Sequence, residues 1–453
     1  MYPKLLFELN PTLLEQRFLC TDVGKIYQAI PWEQLAAHVP PPAHARNGLG
    51  CKPWFTLQGG IALQFLKHYL QLSDAKLIER INTDWSLQYF CGIQLKATEV
   101  IQDKDLPSWW RCYIGQYLAI DQWQKVLATK WKEYMKQTQT SSQDATCYES
   151  RIAFPTDVKL LWQSCSEVYE MMQLILKKQR RRKSRSNHAL RRKEFLSYQK
   201  SKKKTRKAEK RLRKKLLKYL HRLLKLNHAL CTKHKIIFSH SKSKRLLTIG
   251  QVYEQQQQKL LGEQIKNRIV SISKAYIRPI IRGKEVKAIE FGAKVNKLQV
   301  DGINFIEYLS YDAFNEGTRL QNGIRLHQEL LGKCKQFSGD AIYATNKNRA
   351  YLKQKGIIHN FVPKGRQKAA HLEQNKLMTA LLNKERGTKL EGSFGNEKNH
   401  YLLGKVKARN QHTETCWIFF GIHTANAVNI GKRIADGQIK SNPPPQPELR
   451  LAS

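Results

Sequence analysis

No two cysteines stand at C-x-x-C spacing and no histidines cluster at zinc-ligand spacing, which argues against a zinc finger or a dithiol redox centre. The nine cysteines, Cys20, Cys51, Cys91, Cys112, Cys147, Cys165, Cys231, Cys334 and Cys416, are scattered singly. Reduced thiols in a cytoplasmic setting are therefore expected rather than a disulfide framework. No run of about 18 apolar residues occurs, so no helix is expected to span a bilayer. Glu8 follows Met1 to Phe7 without an apolar run of signal-peptide length, and export is not expected. None of the 14 histidines forms a readable pairing with a nucleophile. Negative charge is the scarcest commodity: 36 Asp and Glu face 79 Lys and Arg, for a formal net charge of +43.

That imbalance favours a polyanionic partner, because neutralising phosphates releases their condensed counterions. Nucleic acid is the leading class before any motif is read. The hydrophobic fraction of 41% is enough to fold, and 453 residues exceed one ordinary core, so several domains or a core with a large insertion are expected.

Residues 1–140 read as an N-terminal helical domain with Trp32, Trp54, Trp85, Trp109 and Trp110 for packing. Ile61 to Leu66 begins an apolar helix, and Ser73-Asp74 caps another that carries Leu77, Ile81 and Trp85 at helical spacing. A helix-turn-helix that recognises DNA ends and an ordinary bundle both fit this pattern. Residues 141–157 contain a strand beginning at Asp144 and running through Tyr148 and Ile152. Pro155-Thr156-Asp157 then opens a long helix with Leu160, Leu161, Val168, Met172 and Leu176 inward. A basic helical insertion is expected over 158–267. Between Lys177 and Lys225 it holds 24 Lys or Arg against only Glu194 and Glu209, about half of the net charge. Leu212, Leu216, Leu217, Leu220, Leu223 and Leu224 recur through its second half, which reads as a helical hairpin with a basic outer face; Gln255 to Gln258 reads as helix surface.

From Arg268 the pattern turns to short β-rich runs: 268–273, 288–295, 298–300 and 305–309, with Arg278 to Lys284 as a turn. Leu320 to Leu331 reads as a helix, Gln336 to Tyr343 as a strand and its exit, Asn346 to Gln354 as a helix and Ile357 to Val362 as a strand. The stretch from Gly387 to Lys405 reads as a further helix with Leu390, Phe394 and Tyr401 on one side. Strands followed by alternating helix and strand define an α/β class over 268–432, and 433–453 reads as a disordered tail.

Against the basic background, Asp144, Asp340 and Glu391 each sit where a hard-cation ligand would. Cleavage of a phosphodiester with two metals requires a few carboxylates gathered from separate elements. Asp301, before Gly302, and Asp157 are alternatives to Asp144; Asp312 and Glu316 read most simply as surface or capping acids. Glu391 and Lys398 are two helical turns apart and share a face, so the lysine could reach a phosphate beside the metals. Gly392 and Gly395 are poor helix formers whose presence points to close approach of a backbone or nucleic acid.

Several strings carry a resemblance: Glu391-Gly-Ser-Phe-Gly-Asn-Glu-Lys398, Gly339-Asp340-Ala-Ile-Tyr343 to Arg349, Asp144-Ala-Thr before Pro155-Thr-Asp157, and Glu290-Phe-Gly-Ala-Lys294. Together they resemble the DDE transposases of bacterial insertion sequences over most of the chain. The resemblance implies a ribonuclease H-like mixed sheet flanked by helices. It also implies Asp144, Asp340 and Glu391 as catalytic ligands of two Mg²⁺ ions, with Mn²⁺ as the expected substitute, and Lys398 as the basic residue on the glutamate's helix. Arg349 lies in the motif around the second acid. The family often has an arginine four residues before the glutamate, where this chain has Gly387; its nearest arginine is Arg386. Lys398, Arg349, Arg386, Arg180, Arg181, Arg182, Lys202, Lys203 and Lys204 are the expected DNA contacts.

The implied activity is binding of terminal inverted repeats, metal-dependent hydrolysis and strand transfer into target DNA, by a homodimer or higher assembly in the cytoplasm at the nucleoid. A ribonuclease H-like nuclease without transposition, and a non-catalytic basic DNA- or RNA-binding protein, are the alternatives. Under any of them, affinity for DNA is expected to fall on the order of 10³-fold between 50 and 200 mM salt if about six phosphates are contacted. Fluorescence anisotropy across that range checks this, and a flat response would count against phosphate contact as the main source of affinity.

Overall fold

A computed structural model describes residues 11–42, 53–181, 186–281, 289–365 and 372–441. The chain divides into two compact units. The first comprises residues 1–150, 294–310 and 314–453, and the second residues 151–293 and 311–313. The helices read from sequence as a separate N-terminal domain thus belong to one unit with most of the sheet.

Six strands form the mixed sheet: β1 (Thr140–Glu149), β2 (Pro279–Ile281), β3 (Ile289–Val300), β4 (Ile303–Ser310), β5 (Gln336–Gly339) and β6 (Ile358–His359). The order is β2-β3-β1-β5-β6, with β4 also on β3. In the first unit β1, β5 and β6 are parallel and β3 with β4 is an antiparallel hairpin. Val300 pairs with Ile303, and the intervening Asp301 and Gly302 both have positive φ, 49° and 79°. This is the backbone a two-residue hairpin needs to match strand twist.

Strand β1 begins before Asp144, which lies in its middle. The polar run preceding the aspartate conceals this, because Ser141, Ser142 and Gln143 are buried. Hydroxyls there find cross-strand partners: Ser142 with Ser338 at 2.6 Å and Thr140 with Gln336 at 2.8 Å. Buried polar residues are tolerated when so paired. Residues 298–300 continue β3 rather than forming a strand of their own, and β6 is only two residues long.

Helices of the first unit follow their caps. Thr56 caps Leu57–Leu70, and Ser73 caps Asp74–Ile81, which buries Leu77, Ile78 and Ile81. Trp85 does not extend that face. Asp84 accepts from the Ser86 amide and starts a new helix, Trp85–Phe90, leaving Trp85 exposed. The 31-residue helix Gln411–Ser441 packs against Asp22–Gln28, Leu57–Leu70, Leu106–Tyr117 and β4. It also carries helix through residues 433–441 of the tail read as disordered. Two side-chain amides cover the outer backbone of β4: Asn426 exchanges hydrogen bonds with Asn304 (2.9 and 2.7 Å) and Gln124 with Ile306 (3.0 and 2.6 Å). They take the place of another strand and satisfy an otherwise open edge.

In the second unit, Asp157–Lys178, His188–Lys200, Arg206–Lys233 and His240–Leu261 are helices. Leu161, Val168, Leu216, Leu220, Ile249 and Val252 belong to its core. Asp157 is 6% exposed and meets Lys259, Arg268 at 2.8 Å and Gln256 at 2.9 Å. Gln256 is therefore buried rather than helix surface. Residues 268–273 form no strand; Ile269, Val270 and Ile272 are buried in irregular chain. Pro279–Ile281 pairs with Ile289–Phe291 where a turn is expected from sequence. Residues 282–288 of that turn lie outside the described residues.

Beneath the Gly392–His400 helix lies a wholly buried ion pair. The Lys297 ammonium on β3 is 2.7 Å from Glu397, and both side chains have 0% exposure. Tyr148 of β1 donates to the same carboxylate, Asn304 of β4 donates at 3.1 Å, and Lys297 also donates to Ser393 at 2.9 Å. Removing one member would strand the other charge in a dry interior. Glu397→Ala is expected to lose about 3–5 kcal/mol in urea denaturation, and Lys297→Met with Glu397→Leu far less. Equal losses would show that the charge pairing is not what matters.

Candidate active site

Register brings two of the three acids together. The parallel pairing of β1 with β5 runs from Thr140↔Gln336 to Gln143↔Gly339, so Asp144 and Asp340 are each the next residue along. Adjacent parallel strands lie about 4.8 Å apart, and residues at one level share a face of the sheet. Asp340 is exposed and caps its own exit turn, its carboxylate accepting from the Ala341 amide at 2.7 Å. Asp144 accepts from the Ala145 amide at 2.7 Å and its side chain is 18% exposed.

Glu391 joins through Arg386. One guanidinium nitrogen is 3.3 Å from Asp144 and another 3.0 Å from Glu391. The chain from Arg386 to Glu391 is a π-helical turn between the α-helices Leu372–Glu385 and Gly392–His400. A π turn accommodates one residue more than an α turn and often marks a functional site. Five-residue spacing therefore puts Arg386 on the face of Glu391 that four-residue spacing would give in an α-helix. The π turn is what brings the Arg386 guanidinium back to the Glu391 carboxylate.

Burial pushes the Asp144 carboxyl up to about 6; the Ala145 amide and Arg386 oppose this, while Glu316 and Asp340 add to it. Glu316 is thus close enough to be felt at the site, although it reads from sequence as a capping acid. It is mostly buried and paired with Lys294 at 2.7 Å. No sequence pattern marks it.

Lys398 lies against β1, donating to Thr146 at 2.9 Å, two residues beyond Asp144. Gly392 and Gly395 have open space beside them: no described atom comes within 4 Å of a Cβ built on either. Among the described residues, no backbone from elsewhere in the chain makes the close approach expected there. Tyr343 is buried and donates to Asn296 at 2.5 Å. Arg349 donates back to the Ala344 carbonyl at 3.2 Å. Asp301 is engaged in the hairpin turn, accepting from Arg433 at 2.8 Å and from the Lys136 amide at 2.9 Å. Asp157 is committed to its own cluster in the second unit. In that unit Arg180, Arg181, Lys202, Lys203 and Lys204 are exposed; Arg182 lies outside the described residues.

Among the described residues, no group of three or more His, Cys, Asp or Glu is placed to hold a metal ion as it stands. The donor chemistry nevertheless fits a hard divalent cation, since carboxylate oxygens are its preferred ligands. Two of these carboxylates already share one cation, the guanidinium. No family model, no curated protein and no solved structure matches this chain. Among the described residues no helix is long and apolar enough to cross a membrane.

The raised Asp144 carboxyl has a stability consequence. The folded chain holds this proton up to about pH 6, the unfolded chain only to about 4. Stability is therefore fully present below 4 and falls as pH rises through 6. Asp144→Asn is expected to raise stability at pH 7.5 by about 2 kcal/mol and to leave it unchanged at pH 4. Thermal denaturation at the two pH values measures this; a loss at both would show the carboxylate to be structurally required.

Proposed function

We propose that this chain is a DNA transposase of the DDE type. The observation that carries the reading is the convergence of Asp144 and Asp340, at one register level of adjacent parallel strands, with Glu391, tied to Asp144 through Arg386. A sheet that combines an antiparallel hairpin with parallel strands, and a helix bearing the third acid, supports a ribonuclease H-like core.

In this reading Asp144, Asp340 and Glu391 hold two Mg²⁺ ions, and Mn²⁺ substitutes. The ions, when bound, polarise the phosphodiester and lower the pKa of attacking water. The protein's own groups bind and position. Lys398, set against β1 beside Asp144, contacts a phosphate oxygen next to the acids. Arg386 neutralises Asp144 and Glu391 until other cations take over, then is free to meet phosphate. The exposed lysines and arginines of the second unit, Lys202, Lys203 and Lys204 among them, grip the DNA backbone without reading sequence. The N-terminal helices recognise terminal inverted repeats, and synapsis of two ends requires at least a dimer. The nucleoid is the place of action.

The test is strand transfer with Mg²⁺ on a duplex bearing the element's terminal repeats. Asp340→Ala or Glu391→Ala is expected to reduce product by about 10³-fold or more, equivalent to about 4 kcal/mol of barrier. Full activity in either variant would remove that residue from the mechanism. Cutting without preference for the repeats would favour a nuclease that does not transpose.

A further inference from the structure

A charged cavity lies within the first unit, lined by none of the candidate catalytic residues. Its volume is about 390 Å³, and its walls come from residues 67–74, 105–112 and 402–417. Two cations lie buried there: Lys67, 3% exposed, and Arg111, 4% exposed. Both lean on Asp74, at 2.6 and 2.8 Å, and both stand over the Trp417 ring, at 5.1 and 4.8 Å from its centroid. Lys67 also donates to the Leu72 carbonyl at 3.0 Å and Arg111 to the Gln64 side chain at 3.1 Å, so both cations are fixed in the cavity wall. Burial pulls the Lys67 ammonium below its usual range despite the Asp74 carboxylate, with Arg111 and Lys407 pulling the same way.

Lys407 and Arg409 also line the cavity. They are exposed and have no carboxylate partner among the described residues. Counting Asp105 with Asp74, the lining carries four cations against two carboxylates. Two buried, bonded cations beside two exposed ones without a carboxylate partner leave the cavity with an excess of positive charge that suits an anion. Hydroxyl and amide groups of Ser73, Ser108, Asn410 and Thr413 line the same space. Cations on different walls of the cavity can approach the oxygens of one phosphate from several sides.

The geometry points to a phosphate-binding site in this cavity, filled by a phosphate carried either on a free nucleotide or on a DNA backbone. It is independent of the three acids and of transposition.

The test uses the full chain and the double variant Lys407→Ala with Arg409→Ala, both at exposed positions, with far-UV circular dichroism confirming the fold. Titration calorimetry with inorganic phosphate and with a 5′-mononucleotide forms one arm, and anisotropy on a 20-base-pair duplex at several salt concentrations forms the other. Saturable binding of phosphate or mononucleotide, weakened about 10-fold or more in the variant, identifies a free ligand. No such binding, with duplex affinity lowered in the variant and the salt slope reduced by about 2, identifies the DNA backbone. If neither arm differs between wild type and variant, the site is overturned and the cavity is a structural ion cluster. The calorimetric arm is read without divalent metal ions and without duplex, which separates its outcome from the fate of the catalytic reading.

Discussion

The ion pair between Lys297 and Glu397 is the constraint on which the geometry of the first unit rests. Neither side chain has any solvent exposure, so each charge depends on the other and on the hydrogen bonds around them. Those bonds come from Tyr148 on β1, Asn304 on β4 and Ser393 on the helix itself. The helix that follows Glu391 is thereby fastened to three strands at one point. Because Tyr148 is four residues from Asp144 on the same strand, the fastening fixes the distance over which the acids must meet. A satisfied polar network of this kind specifies one arrangement where an apolar contact would tolerate several.

Charge is partitioned unevenly along the chain. Half of the positive excess lies between Lys177 and Lys225, in the second unit, while the acids gather in the first. A cluster of carboxylates is unstable without a cation, and Arg386 supplies one from within the π-helical turn that also ends at Glu391. The guanidinium touches two acids from different elements and leaves Asp340 exposed. Such an internal counterion holds Asp144 and Glu391 together.

Much of this was legible in the residues, and the failures have physical causes. Helix Leu320–Leu331 shows a clear period ending at Gly332 and Asn346–Gln354 is capped by Thr345, so their bounds emerge from pattern alone. The helix Asp157–Lys178 is announced by Thr156 and by an apolar stripe. By contrast Gln411–Ser441 is apolar on nearly every side between Cys416 and Ala427, so it shows no amphipathic period to detect. Strand β1 starts in a serine- and glutamine-rich run whose hydroxyls find cross-strand partners, which hides it from a hydrophobic pattern. The run at 268–273 looks like a strand because it is branched and apolar, yet it only packs. The three acids stand out by their setting, whereas the bridge through Arg386 depends on one extra residue in a helical turn, and Lys297 with Glu397 on a contact across 100 residues. No local pattern reports either.

The most direct measurement is anomalous diffraction from crystals of the full chain grown with Mn²⁺ and a duplex carrying the terminal repeats. The account predicts manganese within bonding distance of Asp144, Asp340 and Glu391, with Arg386 turned away from the acids toward a phosphate. Bound DNA with Arg386 still bridging Asp144 and Glu391, and manganese elsewhere or absent, would contradict it.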